Sequence, residues 1–335
     1  MSEKAKKALK YTISISGAII LLYFSFREVK WEDFVAVLSN CRWGYVLASM
    51  STGIFVTIVR GYRWRLTILP FHPQCRHSDT INGNAIGNVT NMVIPLSSEL
   101  VRCAVVHADA DDKNVTYDKI LGTAALERLW DMACIVLMFF ILLAAKWEIF
   151  GGFFMEKIAK PVSLRFGGGA WIIAIAAILL VAGAGYAVYA LRNKSAVCGD
   201  VSRFLKGIFQ GLTSFGPMKH KGLFLLETLS IWFIYWLQIV LMSLALPDVL
   251  HLSMSDCLFI SLVGSAASVV PVPGGFGAFH FLVATALTSL YGLSWDQGLA
   301  FATLVHESHV LAFIGFGIFA AFAEASKKRS RGSLL

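Results

Sequence analysis

Charged side chains are scarce in this chain. Asp, Glu, Lys and Arg make up 15% of its 335 residues, while hydrophobic side chains make up 57% and mean hydropathy is +0.67. Soluble globular domains carry about 25% charged residues, so this composition excludes an ordinary soluble protein. Apolar segments inside a bilayer must satisfy their own backbone hydrogen bonds, which favours helices. The composition therefore predicts an all-α polytopic membrane protein with a single transmembrane domain over residues 1–335.

Paired cysteines and nucleotide-binding motifs are also missing. The six cysteines have neither disulfide-type nor zinc-type spacing, so we expect no disulfide and no bound metal. The net charge of +8 lies largely in loops and termini, where it is a topology signal and not a nucleic-acid footprint. We therefore expect no cofactor and no nucleic-acid partner, and any transport would be facilitated or ion-coupled.

Six segments are apolar and long enough to cross a bilayer, because a helical span needs about 20 residues. These predicted spans cover residues 9–26, 43–59, 119–147, 170–191, 222–246 and 297–323. Two further segments, 80–110 and 257–291, are interrupted by proline and predict broken or re-entrant helical hairpins. Hydropathy alone would count about eight spans.

Basic residues mark the cytoplasmic side of the membrane. They cluster in residues 1–8, in the segment Arg60 to Arg65 after the second span, and in the tail 324–335. Because basic loops remain cytoplasmic, both termini are predicted to be cytoplasmic, in agreement with an even number of full spans. The first hairpin would then enter from the cytoplasm and the second from outside, as in transporters built from inverted repeats.

The first hairpin is too polar for an ordinary span. Asn84, Asn88 and Asn91 recur at i, i+4 and i+7, which places three amides on one face of a helix. Pro95 then breaks that helix. An ordinary helix-Pro-helix whose amides bond to neighbouring helices would show the same pattern.

A second helix restarts at Ser97 or Ser98, with Glu99 in its first turn and Arg102 one turn later. In the second hairpin, Gly274, Gly275 and Gly277 follow two prolines and could expose backbone N–H groups as a phosphate nest. A simple hinge would need the same glycines.

One predicted span carries three ionisable residues within about one helical turn: Glu127, Arg128 and Asp131. Each mid-membrane charge costs about 2.5 to 3.5 kcal/mol on insertion scales, so the cluster must be paired, near an interface or in a watered cavity. Arg128 suits a phosphate because its guanidinium forks onto two oxygens. A buried ion pair that fixes helix register is the structural alternative.

On these residues the chain resembles the transmembrane region of the lysylphosphatidylglycerol synthase/flippase family, the membrane half of the bacterial multiple peptide resistance factor. Four signatures carry the resemblance, in order: Arg60 to Arg65, Asn91 to Pro95 with Glu99 and Arg102, Glu127-Arg128 with Asp131, and Pro271 to Gly277. The resemblance implies a bacterial inner-membrane protein whose relatives move aminoacylated phosphatidylglycerol between leaflets. The soluble synthase domain of full-length relatives is expected to be absent, so synthase activity is not expected.

Three positions differ from the family pattern. Ser98 stands where a Gly usually precedes the Glu, His280 where a Glu often follows the glycine motif, and His306-Glu307 where an Arg is common. These differences change the charge near the presumed site, and they bear on which headgroup is recognised.

The sequence is compatible with three functions. The first is translocation or binding of an anionic or aminoacylated lipid headgroup by the residues named above, with a membrane phospholipid or lipid-linked substrate as partner and a possible homodimer. The second is an intramembrane transferase or hydrolase that uses His280, His306, Glu307 and His309, although their spacing is not that of an HExxH zinc motif. The third is a non-catalytic envelope scaffold, which leaves the buried amides and Arg128 unexplained.

Overall fold

The computed structural model describes Tyr23, Phe26 and residues 29–110, 112, 114–156, 160–161, 190–192, 196–247 and 251–332. Within these residues the chain is helical and contains no strand, which confirms the predicted all-α fold. The eleven α-helices of this part of the chain are α1 (Trp31–Ser39), α2 (Trp43–Ile68), α3 (His77–Val93), α4 (Ser98–Ala108), α5 (Tyr117–Ala145), α6 (Trp147–Phe154), α7 (Ala196–Leu212), α8 (Lys221–Ala245), α9 (Met254–Ala266), α10 (Ala278–Tyr291) and α11 (Trp295–Gly332).

Among the described residues, four helices are long and apolar enough to cross a membrane: α2, α5, α8 and the Trp295–Lys327 part of α11. The chain is therefore a multi-pass membrane protein. These helices correspond to four of the six predicted spans. The other two, 9–26 and 170–191, lie almost wholly outside the described residues.

The chain divides into two compact units. The first contains Met1–Tyr117 and Phe215–Leu335, and the second contains Asp118–Ser214. Helices α1 to α4 and α8 to α11 belong to the first unit, whereas nearly all of α5, together with α6 and α7, belongs to the second.

Helix α2 is at the centre of the first unit and packs against α8, α3 and α11. Small residues permit these close approaches: a Cβ added at Gly61 would lie 2.8 Å from the Cα of Ile81 on α3. On α11, a Cβ at Gly317 would lie 2.8 Å from the carbonyl oxygen of Ala85. Membrane helices associate through small residues because lipid supplies no hydrophobic drive between them.

Helix α2 extends beyond its predicted end at residue 59 and continues to Ile68. The arginines that we expected in a cytoplasmic loop are therefore helical. Arg60 donates from Nη1 to the Tyr235 hydroxyl at 3.3 Å, and the fully buried Arg63 lies 3.5 Å from the Thr228 hydroxyl. These partners on α8 let basic residues remain inside the helix bundle.

Helices α3 and α4 form the first hairpin around a tight turn. Ser97 N donates to Ile94 O at 3.2 Å, with Pro95 and Leu96 between them, and Leu96 has a positive φ of 61°. The two helices approach closely because α3 carries Gly87, where a Cβ would lie 2.9 Å from the carbonyl oxygen of Ser98.

The second hairpin pairs α9 with α10. Helix α9 continues as a 3₁₀ turn over Ala267–Val269, and a second 3₁₀ turn, Pro273–Gly275, precedes α10. This second turn packs against α3 of the first hairpin, since a Cβ added at Gly274 would lie 3.5 Å from the Cα of Met92. The turns of the two interrupted hairpins therefore meet inside the first unit.

In the second unit, α5 and α7 cross closely at two glycines. A Cβ added at Gly211 on α7 would lie 2.7 Å from the Cα of Gly122 on α5, so neither position accepts a larger side chain without a shift. Further along α5, several large apolar side chains are exposed, as expected for a helix that contacts lipid. These include Leu129, Val136, Leu137, Phe140 and Ile141.

Candidate functional site

A buried arginine connects the two helices of the first hairpin. Arg102 on α4 donates from Nε to Oε2 of Glu99 at 2.6 Å, and its Nη2 lies 2.5 Å from the same oxygen. Its Nη1 donates to Oδ1 of Asn84 on α3 at 3.0 Å. The guanidinium stacks over the Trp64 ring with Cζ 4.4 Å from the ring centroid. Charge-assisted bonds and ring stacking together offset the cost of burying this cation.

Accessibility separates the two charged partners. The Arg102 side chain is 2% exposed, whereas the Glu99 side chain is 24% exposed. Arg102 therefore holds the carboxylate from the protein side, and Glu99 is the member of the pair that a ligand can reach. The sequence predicted both residues for the site, but not this difference between them.

The three asparagines of α3 have different surroundings. Asn84 is buried and gives its oxygen to Arg102, while its Nδ2 has no hydrogen-bond partner among the residues that the structure describes. Asn88 donates to the Thr57 hydroxyl on α2 at 3.4 Å. Asn91, beside the turn of the hairpin, is half-buried. The predicted row of amides thus runs from a buried network toward the hairpin tip.

The glycine turn of the second hairpin, Gly274 to Gly277, contains residues in the left-handed backbone conformation. Gly274, Gly275 and Gly277 have φ values of 57°, 79° and 79°, which residues other than glycine rarely adopt. Gly275 N donates to Val272 O at 3.3 Å and Phe276 N donates to Pro273 O at 3.0 Å. Because these two N–H groups close the turn itself, fewer remain for the phosphate nest that the sequence predicted.

A histidine–carboxylate cluster lies beside this turn. His306 on α11 has Nε2 3.0 Å from the carbonyl oxygen of Gly274 and Nδ1 3.1 Å from Oε1 of Glu307. His280 on α10, which is buried, has Nε2 3.4 Å from the same Glu307 oxygen. The structure therefore brings the predicted residue His280 together with His306 and Glu307, which are distant in sequence.

His309 does not join that cluster. Its Nδ1 lies 2.6 Å from Val305 O and its Nε2 lies 3.2 Å from Ser49 O, so both ring nitrogens contact helix carbonyls. Backbone acceptors on α2 and α11 therefore hold this ring, and His309 is not one of the three clustered residues.

The ionisable residues of α5 belong to the second unit. Glu127 is 1% exposed, and Arg128 and Asp131 are half-buried. Of the three, only Glu127 is buried.

Sequence reasoning missed one buried charge network. Lys327 Nζ lies 2.7 Å from Asp79 Oδ1, 2.6 Å from Asp109 Oδ2 and 3.7 Å from Glu324 Oε2, and it joins the ends of α3, α4 and α11. We expected Lys327 in a free basic tail, whereas α11 continues through it. The i, i+3 spacing of Glu324 and Lys327 is the one signal in the sequence.

Cys75, in the loop that precedes α3, is buried. Burial, followed by the nearby Asp79 carboxylate, raises the pKa of the Cys75 thiol to about 12. Arg65 donates from Nε to Cys75 O at 2.6 Å and closes the loop from the other side. Cys75 is therefore a packed, unreactive thiol.

Comparison with known proteins gives one match. A family model described as "Lysylphosphatidylglycerol synthase TM region" matches residues 8–317, nearly the whole chain. No curated protein and no solved structure matches the chain.

Proposed function

We propose that this chain, which belongs to the lysylphosphatidylglycerol synthase transmembrane family, binds a phospholipid headgroup where its two interrupted hairpins meet and moves it across the bacterial inner membrane. The observation that carries the proposal is the contact between Gly274 in the second hairpin and Met92 in the first. Interrupted helices that meet within a membrane domain are the arrangement that transporters use for substrate sites.

The polar residues of the first hairpin support a binding site there and not a purely structural role for the hairpin. Asn84, Glu99 and Arg102 occupy an element packed among membrane-length helices, where polar and ionisable side chains are expensive and usually mark a functional pathway. The pair is held by stacking on Trp64 and keeps one carboxylate accessible. A pair that only stabilised the fold would need no accessible member.

The chemistry of the hairpins favours a headgroup that carries both an amine and a phosphate. The accessible Glu99 carboxylate suits an ammonium group, and Asn88 and Asn91 add amide donors and acceptors on α3. Helices α4 and α10 each begin next to a hairpin turn, and helix N-termini favour phosphate. Aminoacylated phosphatidylglycerol and phosphatidylethanolamine have this combination.

We also propose a role in translocation for the charged cluster of α5, on the basis of its sequence pattern. Its members are Glu127, Arg128 and Asp131. Asp131 follows Arg128 by three residues on the same helix and can orient its guanidinium, whose planar fork suits two oxygens of a lipid phosphate. Arg128→Ala is therefore expected to impair translocation while leaving the helical content of the protein unchanged.

The test is a translocation assay in proteoliposomes that contain the full chain and a fluorescent aminoacylated phosphatidylglycerol, with dithionite quenching to report the outer leaflet. Glu99→Gln should slow translocation about tenfold or more, because loss of a charge-assisted hydrogen bond costs about 1.5 to 3 kcal/mol. The matched control is Glu32→Gln at an exposed position of α1, which should leave the rate unchanged.

Two outcomes would contradict the proposal. Equal rates for wild type, Glu99→Gln and Arg128→Ala would remove both residues from the pathway. Equal rates for aminoacylated and unmodified phosphatidylglycerol would remove the amine from the recognised headgroup.

A further inference from the structure

Three donor atoms from two helices converge beside the glycine turn. His280, His306 and Glu307 each offer one donor atom, and these three atoms lie within 4.8 Å of one another. Two of the three separations are 3.1 Å, from His306 to Glu307, and 3.4 Å, from His280 to Glu307. Donors around a tetrahedral zinc ion, with bonds of about 2.0 to 2.1 Å, are separated by about 3.3 Å. The measured separations are close to that value.

The hydrogen-bond chemistry of His306 leaves one contact unexplained. Its Nε2 faces the Gly274 carbonyl oxygen at 3.0 Å, and a carbonyl can only accept, so Nε2 carries the proton. In the neutral imidazole, Nδ1 then presents a lone pair to the Glu307 oxygen, which is also an acceptor, at 3.1 Å. Two acceptors at this separation repel each other unless a cation lies between them or the ring takes a second proton.

The contact between His306 and Gly274 is also the outer contact that metal-bound histidines usually make. Such a histidine donates its second ring N–H to a carboxylate or backbone carbonyl, which fixes the tautomer and the ring orientation. Here that contact fixes Nδ1 toward Glu307.

His280 supplies an independent observation. Its side chain is 1% exposed, and Nδ1 is buried without a hydrogen-bond partner in the described part of the chain. The contact from Nε2 to Glu307, at 3.4 Å, is long for a hydrogen bond. Nε2 therefore lacks a close partner, and a metal ion between His280 and Glu307 would supply one, with the ring proton on Nδ1.

We propose that His280, His306 and Glu307 bind a divalent transition-metal ion of the zinc class. Two imidazoles and one carboxylate suit zinc better than magnesium or calcium, which prefer oxygen ligands. Three protein ligands leave a fourth position open, and the Glu307 side chain, which is 39% exposed, gives the ion a route of entry. The bound ion joins α10 to α11 and, through His306, holds the glycine turn.

The proposal is tested on the full chain, purified in detergent with a tag that contains no histidine and stripped with a chelator. Zinc chloride is titrated while binding is followed by competition with a chromophoric chelator, and thermal unfolding is measured in parallel. One zinc per chain and a higher unfolding midpoint are expected. His280→Ala and Glu307→Gln should each weaken binding at least tenfold and abolish the shift in midpoint.

The matched control is His220→Ala, which removes an exposed histidine that precedes α8 and should bind zinc as wild type does. Circular dichroism and size-exclusion profiles establish that each variant is folded. If a variant fails to fold, the wild-type titration decides alone.

The proposal is overturned if wild type binds no zinc, or if zinc does not shift its unfolding midpoint. A proton shared by His306 and Glu307 then accounts for their contact. Equal zinc binding by wild type and the two variants also overturns it.

Discussion

Two ion pairs in this chain have the same spacing but opposite surroundings. Arg102 pairs with Glu99, and Arg203 pairs with Asp200, in each case three residues apart on one helix. The side chains of the second pair are 81% and 69% exposed, whereas Arg102 is 2% exposed. Exposed pairs contribute little because water already solvates both charges, while breaking a buried pair leaves an uncompensated charge.

The first prediction compares these two arginines. Arg102→Met should destabilise the protein, by about 1.5 to 3 kcal/mol, because it removes the charge-assisted hydrogen bonds to Glu99 and Asn84 and the stack on Trp64. Arg203→Met should leave the thermal unfolding midpoint unchanged. The midpoints of both variants in the same detergent check this, and similar midpoints for the two would show that burial of Arg102 contributes nothing.

At the scale of single residues, sequence spacing identified polar members of the site but not their partners. Asn84, Glu99 and Arg102 were named as site candidates from their spacing, and the structure places Arg102 in contact with both of the others. Trp64 could not be predicted as the stacking partner, because its contact depends on how α2 packs against the hairpin. His306 and Glu307 reach His280 only through the packing of α10 on α11.

At the scale of elements, the breaks in the two hairpins were predictable because proline and glycine act locally. Pro95 ends α3, and the glycines before α10 adopt the positive φ values that they alone adopt easily. The positive φ of Leu96 was not predictable, since leucine rarely adopts it and no property of the residue signals it. The C-terminal end of α2 was also predicted too early. Its arginines can remain in the helix because they have hydrogen-bond partners on α8, which the sequence does not reveal.

The second prediction concerns the charge network that joins the ends of three helices. Lys327→Met should lower the unfolding midpoint markedly, because Asp79, Asp109 and Glu324 would remain buried together without their cation. Breaking a buried ion pair costs about 3 to 5 kcal/mol. The matched control is Lys146→Met at an exposed position, which should have no effect.

Restoring the charge balance provides a second check on this network. Asp109→Asn combined with Lys327→Met should recover part of the lost stability, because one carboxylate fewer is buried without a cation. A double variant no more stable than Lys327→Met alone would contradict electrostatic repulsion as the cause of the loss.

At the scale of the whole molecule, composition and the length of apolar runs predicted an all-α polytopic protein, and the structure and family membership agree. Composition and the length of apolar runs depend on whether each segment lies in the bilayer, so they identify membrane spans well. They carry no information on which interrupted segments contact each other. The meeting of the two hairpin turns at Met92 and Gly274 is a tertiary contact between segments far apart in sequence.

Our proposed function requires that a lipid headgroup is bound where these turns meet. The most direct measurement uses an aminoacylated phospholipid with a photoactivatable diazirine on its headgroup, incorporated into proteoliposomes with the full chain and mapped by peptide mass spectrometry after illumination. Adducts are expected within residues 88–99 and 273–280, and fewer of them in Glu99→Gln. Adducts confined to exposed apolar residues of α11 such as Phe319 and Phe322, unchanged in that variant, would contradict it.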